Sequence, residues 1–353
     1  MTARVLWVVV DSLPPDCVND ADMPWLARLA SEGGMASGGG HAVMPALTYP
    51  NHASFVTGDG PTSHGIAANR VFRNGRWRGA EEVGPSVPTV FDRLADRGRP
   101  AAAVFGDQNL VGVCGALTAT THWPHGGVHV DGTALAGTGY AADSEVLAAA
   151  GEMDLPAHAL AFVQFDETDS VSHIHGPRSR EAGETVRAVD SGLARLADAY
   201  SDVWGETLVI VVSDHLQEPI EGESVPFDEL IASALCVDPP PNPYEGDAAG
   251  RWRTDGTVAW ISREARSELG DPVRLPGVEG SGLLGDGTAV AWGPEGSLLG
   301  LDWGQRGDHG SPRTARQVAV VGGGHPAARG IGESISRKPP LCTEWADWVM
   351  EVL

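Results

Sequence analysis

Residues 5–11 read Val-Leu-Trp-Val-Val-Val-Asp. An unbroken apolar run rich in β-branched residues is the pattern of a strand buried on both faces of a parallel sheet. It ends on Asp11, at the carboxyl end where ligand-binding groups gather in such sheets. The same grammar recurs along the chain. Strands are predicted at Ala101–Phe105, His158–Phe165, Thr207–Val212 and Gln317–Val321. Between them the spacing predicts helices over Pro24–Glu32, Thr89–Arg97, Arg178–Tyr200 and Glu344–Leu353, with Gly33-Gly34 closing the first. Strands alternating with helices predict an α/β fold, a mostly parallel central sheet covered by helices on both faces. Asp11, Asp166–Asp169 and Asp214-His215 all fall at predicted strand ends.

Between Gln217 and Arg306 the alternation loosens. Pro239-Pro240-Pro241 and frequent glycines punctuate short strand candidates such as Thr257–Ile261 and Thr288–Trp292. This stretch is expected to be a subdomain inserted into one domain of 353 residues, covering one side of the site.

The chemistry is organised around Met44–Asn69, MPALTYPNHASFVTGDGPTSHGIAAN. Pro50–Thr57 predicts a short helix ended by Gly58, with Thr48 at its start. A hydroxyl there faces unpaired backbone N–H groups and the positive end of a helix dipole, which suits an anionic group. An ordinary helix cap has the same local sequence, so other residues have to decide. Asp169 and His173, four apart, share one face of a helix if the stretch is helical. Together with Asp11, Asp214, His215, His309 and the Thr48 hydroxyl they make seven candidate ligands. Two divalent ions, Zn2+ first and Mn2+ second, need about that donor set with coordination left for a substrate.

The chain has 24 basic and 47 acidic residues, a net charge of −23, with 42% hydrophobic content. That surface repels a nucleic-acid polymer and an anionic membrane, but bound cations can reverse the field locally for a small anion. Lys338 is the only lysine, so a substrate-facing cation must be arginine or metal. Cys17, Cys114, Cys236 and Cys342 lack paired metal-binding spacing and are read as reduced, buried thiols of a cytoplasmic protein.

Thr48-Tyr-Pro-Asn-His52, Val56-Thr-Gly58, Ser63-His-Gly-Ile66 and Asn69 resemble the nucleophile segment of the alkaline phosphatase superfamily, in its nucleotide pyrophosphatase/phosphodiesterase branch. Asp169-x-x-x-His173 with Gly176-Pro177, Ser213-Asp214-His215 and Gly307-Asp-His309-Gly310 resemble that branch's later motifs, in order. The resemblance implies an alkaline phosphatase-like three-layer sandwich and a phospho-threonine intermediate at Thr48. It implies one metal on Asp169, His173 and His309, and a second on Asp11, Asp214 and His215 with Thr48. Asn69 is expected to hydrogen-bond a phosphoryl oxygen. Sulfatases share the fold, but their C/S-x-P-x-R segment does not stand at Thr48.

Some positions depart from the branch. Leu216-Gln217 follows Asp214-His215 where relatives usually have Gly-Met, and Ser172 replaces the usual glycine before the motif histidine. Gln164-Phe165 stand where nucleotide-acting relatives often carry a base-stacking tyrosine, so Tyr49 and Phe165 become the substrate-binding candidates. Thr168–His175 also resembles phosphonoacetate hydrolases, which bind their substrate partly through lysines.

Several residues keep structural readings. His122, His125 and His129 are expected to be solvated, His52, His64 and His175 supporting, and Trp292 and Trp303 core. Asp166, Glu167 and Asp308 are candidates to orient a ligand; Arg70, Arg306 and Arg313 are candidates for a distal anion.

The expected activity is hydrolysis of a phosphate diester or pyrophosphate bond of a small nucleotide-like metabolite. A phosphomonoesterase, a phosphonate hydrolase, a phosphoryl transferase and a non-catalytic metal-binding homologue are the rivals.

Overall fold

In the computed structural model, which describes residues 3–242 and 246–353, strand β1 (Arg4–Val10) lies at the centre of a seven-stranded sheet. In chain order follow helix α1 (Pro24–Glu32), β2 (Gly34–Met35), α2 (Thr48–Thr57), α3 (Val90–Asp96), β3 (Ala101–Phe105) and β4 (Thr121–Trp123). Next come α4 (Asp143–Glu152), β5 (Leu160–Phe165), α5 (Glu167–His175), α6 (Arg180–Asp198) and β6 (Thr207–Val212). A separate sheet is formed by β7 (Trp252–Asp255), β8 (Val258–Ile261), β9 (Gly280–Leu283) and β10 (Ala289–Trp292). Finally β11 (Ala319–Gly323), α7 (Ala327–Arg337) and α8 (Trp345–Val352) return to the main body.

The order across the large sheet is β2-β11-β6-β1-β5-β3-β4. β1 runs parallel to both neighbours, with Val5 opposite Leu160 on one side and Leu208 on the other. Only β11 opposes the rest, pairing antiparallel with β6 and β2. The pleat of β1 divides the core between two helical layers. Val5, Trp7 and Val9 pack with Phe55, Phe91 and Trp345 on the face covered by α2, α3, α7 and α8. Leu6, Val8 and Val10 pack with Leu26, Val146 and Leu193 on the face covered by α1, α4 and α6. This is the three-layer α/β arrangement. No helix among the described residues is long and apolar enough to cross a membrane.

The four-stranded sheet has a core of its own, from Phe227, Ile231, Trp252, Ile261 and neighbouring residues. Its β7–β8 edge touches the main body beside Thr48: Val258 packs with Leu47, and Thr257 donates its N–H to the His309 carbonyl.

Two expectations change here. The helix begins at Thr48 rather than Pro50, and Pro50 sits in its first turn, where no intrahelical donor is needed. Cys236 is exposed, whereas Cys114 and Cys342 are buried; all four cysteines are free.

Candidate active site

Three of the expected ligands sit where a strand stops, and Thr48 sits where a helix starts. Asp11 follows β1, Asp214 and His215 follow β6, and α5 carries Asp169 and His173 one turn apart. His309 lies in the loop that returns from the four-stranded sheet, its carbonyl held by Thr257. Folding gathers these six side chains and Thr48 at the floor of one cleft of about 230 Å3, lined by Asp169, His173, His309, Thr48, Tyr49 and Asn69, with Asp11, Asp214 and His215 buried beside them.

Three overlapping groups of donors, each with atoms within 4.8 Å of one another, form the centre: Asp11–Asp214–His215, Asp169–His215–His309 and His173–Asp308–His309. Asp169 Oδ2 is 3.2 Å from His173 Nε2, and Asp169 Oδ1 is 3.8 Å from His309 Nε2. The His215 and His309 rings stack at 3.8 Å. Asp308 comes close enough to be a ligand, but both of its oxygens already accept, from the His309 N–H and from Gln305 Nε2. It therefore suits the orienting role.

The residues fit divalent cations on the structure's own terms. Asp11 Oδ1 and Asp214 Oδ2 are buried without a hydrogen-bond donor. Burial, then the charge of Asp214, pushes the Asp11 carboxyl well above its ordinary range, and burial raises Asp214 to about 8. For Asp169 burial acts in the same direction, but the neighbouring His173 outweighs it and holds the carboxyl low. Burial depresses His173, yet Asp169 wins and lifts it to about 10; burial and His309 hold His215 well below its usual value. Buried carboxylates whose nearest positive partners are imidazoles are stabilised by metal coordination, which compensates their charge.

Thr48 is the first residue of α2, and its Oγ1 lies 3.1 Å from His215 Nε2. The helix is anchored by Asn51, whose amide donates to the Leu47 carbonyl and accepts from the Val43 N–H. His52 donates from Nδ1 to the Thr48 carbonyl, and burial keeps it neutral with its pKa lowered to about 4. Asn69 lines the same cleft with its Oδ1 buried and unpartnered.

The other candidates separate. Tyr49 lines the cleft, but it is nearly buried and its hydroxyl accepts from Asn109. Phe165 is not a substrate group. It is fully buried on the α6 face, 3.5 Å from where a Cβ on Gly192 would stand, because its place on the β5 pleat points into the core. Trp303, expected in the core, is 51% exposed, lines the cleft and sits 5.9 Å from the His173 ring. Arg313 is committed to Glu218 and Glu279, and Arg70 lines a neighbouring cavity instead. Arg253 of β7 lines the cleft, as do Asp107 and Tyr140 from the main body. These three escaped the sequence reading, since nothing local distinguishes an arginine of an inserted strand from any other. His129 donates from Nε2 to the Gly106 carbonyl and His122 stacks on His125, away from the cleft.

The profile of the type I phosphodiesterase/nucleotide pyrophosphatase family matches residues 5–273. The mouse (Mus musculus) ectonucleotide pyrophosphatase/phosphodiesterase family member 1 is 27% identical over 186 residues, 50% of this chain and 20% of that protein. Its rat (Rattus norvegicus) counterpart matches to the same extent. The chain thus spans only about a fifth of the length of the curated relatives it matches. Among solved structures, murine ectonucleotide pyrophosphatase/phosphodiesterase 5 superposes with a TM-score of 0.70 at 17% identity, covering 99% of this chain and 94% of that one. Phosphonoacetate hydrolase from Sinorhizobium meliloti 1021, in complex with phosphonoacetate, gives 0.68 at 18% identity, covering 100% and 96%. The chain belongs to the type I phosphodiesterase/nucleotide pyrophosphatase family, and its fold is alkaline phosphatase-like.

Proposed function

We propose that this member of the type I phosphodiesterase/nucleotide pyrophosphatase family hydrolyses a phosphate diester or pyrophosphate bond in a small, nucleotide-like metabolite, through a covalent intermediate on Thr48. The observation that carries the reading is the Thr48 hydroxyl, 3.1 Å from His215 Nε2 at the start of a buried helix, beside three overlapping groups of buried carboxylates and imidazoles.

Asp169, His173 and His309 are proposed to hold one divalent ion, and Asp11, Asp214, His215 and Thr48 the other, Zn2+ before Mn2+. Such a pair neutralises phosphoryl charge and lowers the pKa of a coordinated hydroxyl. The protein supplies the rest. Thr48 Oγ1 gives up its proton to solvent and attacks phosphorus while the leaving oxygen departs in line on the opposite side and takes a proton from solvent. The first N–H groups of α2 have no intrahelical acceptor and point toward the anion, and the Asn69 amide offers a further contact to a phosphoryl oxygen. Water then attacks the same phosphorus, and Thr48 takes a proton back as phosphate monoester leaves. Arg253 and the half-exposed Trp303 line the cleft and are suited to the leaving portion of the substrate.

A second reading has one specific support. Arg253 lines the cleft in a chain with a single lysine, and its guanidinium suits a monoester or a carboxylated phosphonate. The four free cysteines support a reducing compartment such as the cytoplasm.

A metal-replete rate panel separates these readings. It sets bis-p-nitrophenyl phosphate, a nucleoside-monophosphate nitrophenyl ester, p-nitrophenyl phosphate and phosphonoacetate side by side. Fastest turnover of the diesters, lost in Thr48→Ala with metal content intact, is the expected result. Faster turnover of the monoester or of phosphonoacetate overturns the substrate class, and a diesterase rate that survives in Thr48→Ala removes the covalent step.

A further inference from the structure

We propose that Ser12 and Gln217 are positioning residues that join the two candidate ion-binding groups through the carboxylate of Asp169. The inference rests on the reading that these groups hold metal ions, and it concerns two residues outside the ligand set.

Ser12 follows Asp11 and adopts φ +59°, a conformation that serine rarely takes. That backbone turns its N–H toward Asp214 Oδ1, at 3.2 Å, and its hydroxyl into the site. The hydroxyl lies 2.7 Å from Asp169 Oδ1 and 3.1 Å from His215 Nδ1. It has one proton to give, and the carboxylate oxygen can only accept. Ser12 therefore donates to Asp169 and accepts from His215 Nδ1–H. That order fixes the His215 tautomer and leaves its Nε2 lone pair facing Thr48 Oγ1 and Asp214 Oδ2, each 3.1 Å away.

Gln217 completes the arrangement. Its Nε2 donates to Asp169 Oδ1 at 2.5 Å and to the Asp169 carbonyl at 3.1 Å. With two donors on Oδ1, both lone pairs of that oxygen are used. Oδ2, which faces His173 Nε2, is left as the ligand atom. The Gln217 side chain is seated against Gly307, where an added Cβ would lie 2.4 Å from its Oε1. The Gly307 carbonyl in turn accepts from His173 Nδ1, so the same wedge supports a second ligand. Ligand-orienting hydrogen bonds of this kind set metal affinity as well as geometry.

A cavity of about 430 Å3 opens behind the pair, lined by Ser12, Thr168, Ser172 and Gln217 among others, so both positions tolerate exchange without repacking the core. Gly at position 12 adopts φ > 0 without strain, so Ser12→Gly removes the hydroxyl at no backbone cost.

The test is competitive titration of Zn2+ against a chromogenic chelator, with Co2+ visible absorption as a second readout, on the native protein, Ser12→Gly and Gln217→Met. Thermal unfolding of each metal-free protein is measured in parallel. The native protein is expected to bind two ions. Each variant is expected to bind one of them about tenfold or more weakly, with an altered Co2+ spectrum and a metal-free unfolding transition that stays cooperative. Native affinity for both ions in both variants overturns the positioning role alone. A native protein that binds no divalent ion overturns the metal reading itself, and this inference with it.

Discussion

Asp107 offers a sharp test of how the cleft treats charge. It is 1% exposed and lines the cleft, and its Oδ1 accepts the Asn109 N–H at 2.8 Å. Burial raises its carboxyl from an ordinary 3.8 to about 7, although the hydrogen bonds from Asn109 and Tyr49 pull the other way. An unfolded chain loses this proton near pH 4, whereas the native protein keeps it until about pH 7. Between those values the native state binds more protons, so Asp107 lowers stability as pH rises from 4 to 7, and the loss is constant above that. At about 1.4 kcal/mol for each tenfold change, the full penalty at pH 8 is roughly 4 kcal/mol, an upper value because relaxation recovers part of it. Asp107→Asn keeps an oxygen for the Asn109 N–H and removes the charge. Urea denaturation of chelator-treated native and variant protein from pH 4.5 to 8 is the assay. The variant should gain relative to the native protein through this window and hold its lead above pH 7. A difference that stays flat across the range would show that Asp107 ionises as it does in water, and would refute the argument from burial.

Three further outcomes follow from the same geometry. Phe162 lies edge-on to Trp7 at 5.1 Å and also contacts Phe91 and Phe105, all fully buried, so Phe162→Ala should lose ~3–5 kcal/mol in chemical denaturation. Trp303→Ala should raise KM for substrates with an aromatic leaving group and leave p-nitrophenyl-free substrates nearly unchanged, which steady-state kinetics on matched esters can read. Removing metal with a chelator should abolish turnover and lower Tm, because buried carboxylates such as Asp11 and Asp214 then face one another without a cation; adding back Zn2+ should restore both.

Much of this protein is written locally. The apolar runs at Val5–Val10 and Thr207–Val212 specify buried strands because their residue types fit only a two-sided core, and both are strands in the structure. Helix α1 occupies the predicted Pro24–Glu32, since proline starts a helix well and Gly33 ends it. The four-residue spacing of Asp169 and His173 needed only a helix to place both on one face, and α5 provides it. Ends of strands and turns of helices are short-range features, so the seven candidate ligands were legible before any tertiary contact was known.

What lies opposite them was not. Phe165 and Trp303 exchanged their expected places because burial depends on which layer covers a side chain, and a single position on a pleat or loop does not carry that information. Arg253 reaches the cleft only because the inserted sheet folds back against Leu47 and His309, some fifty residues downstream of it in one case and two hundred upstream in the other. The contacts of Ser12 and Gln217 with Asp169 join segments about 157 and 48 residues apart. Spacing along a chain encodes periodicity, and periodicity specifies elements and faces; the meeting of two faces is decided by packing, where the free energy belongs to the pair and to neither sequence alone.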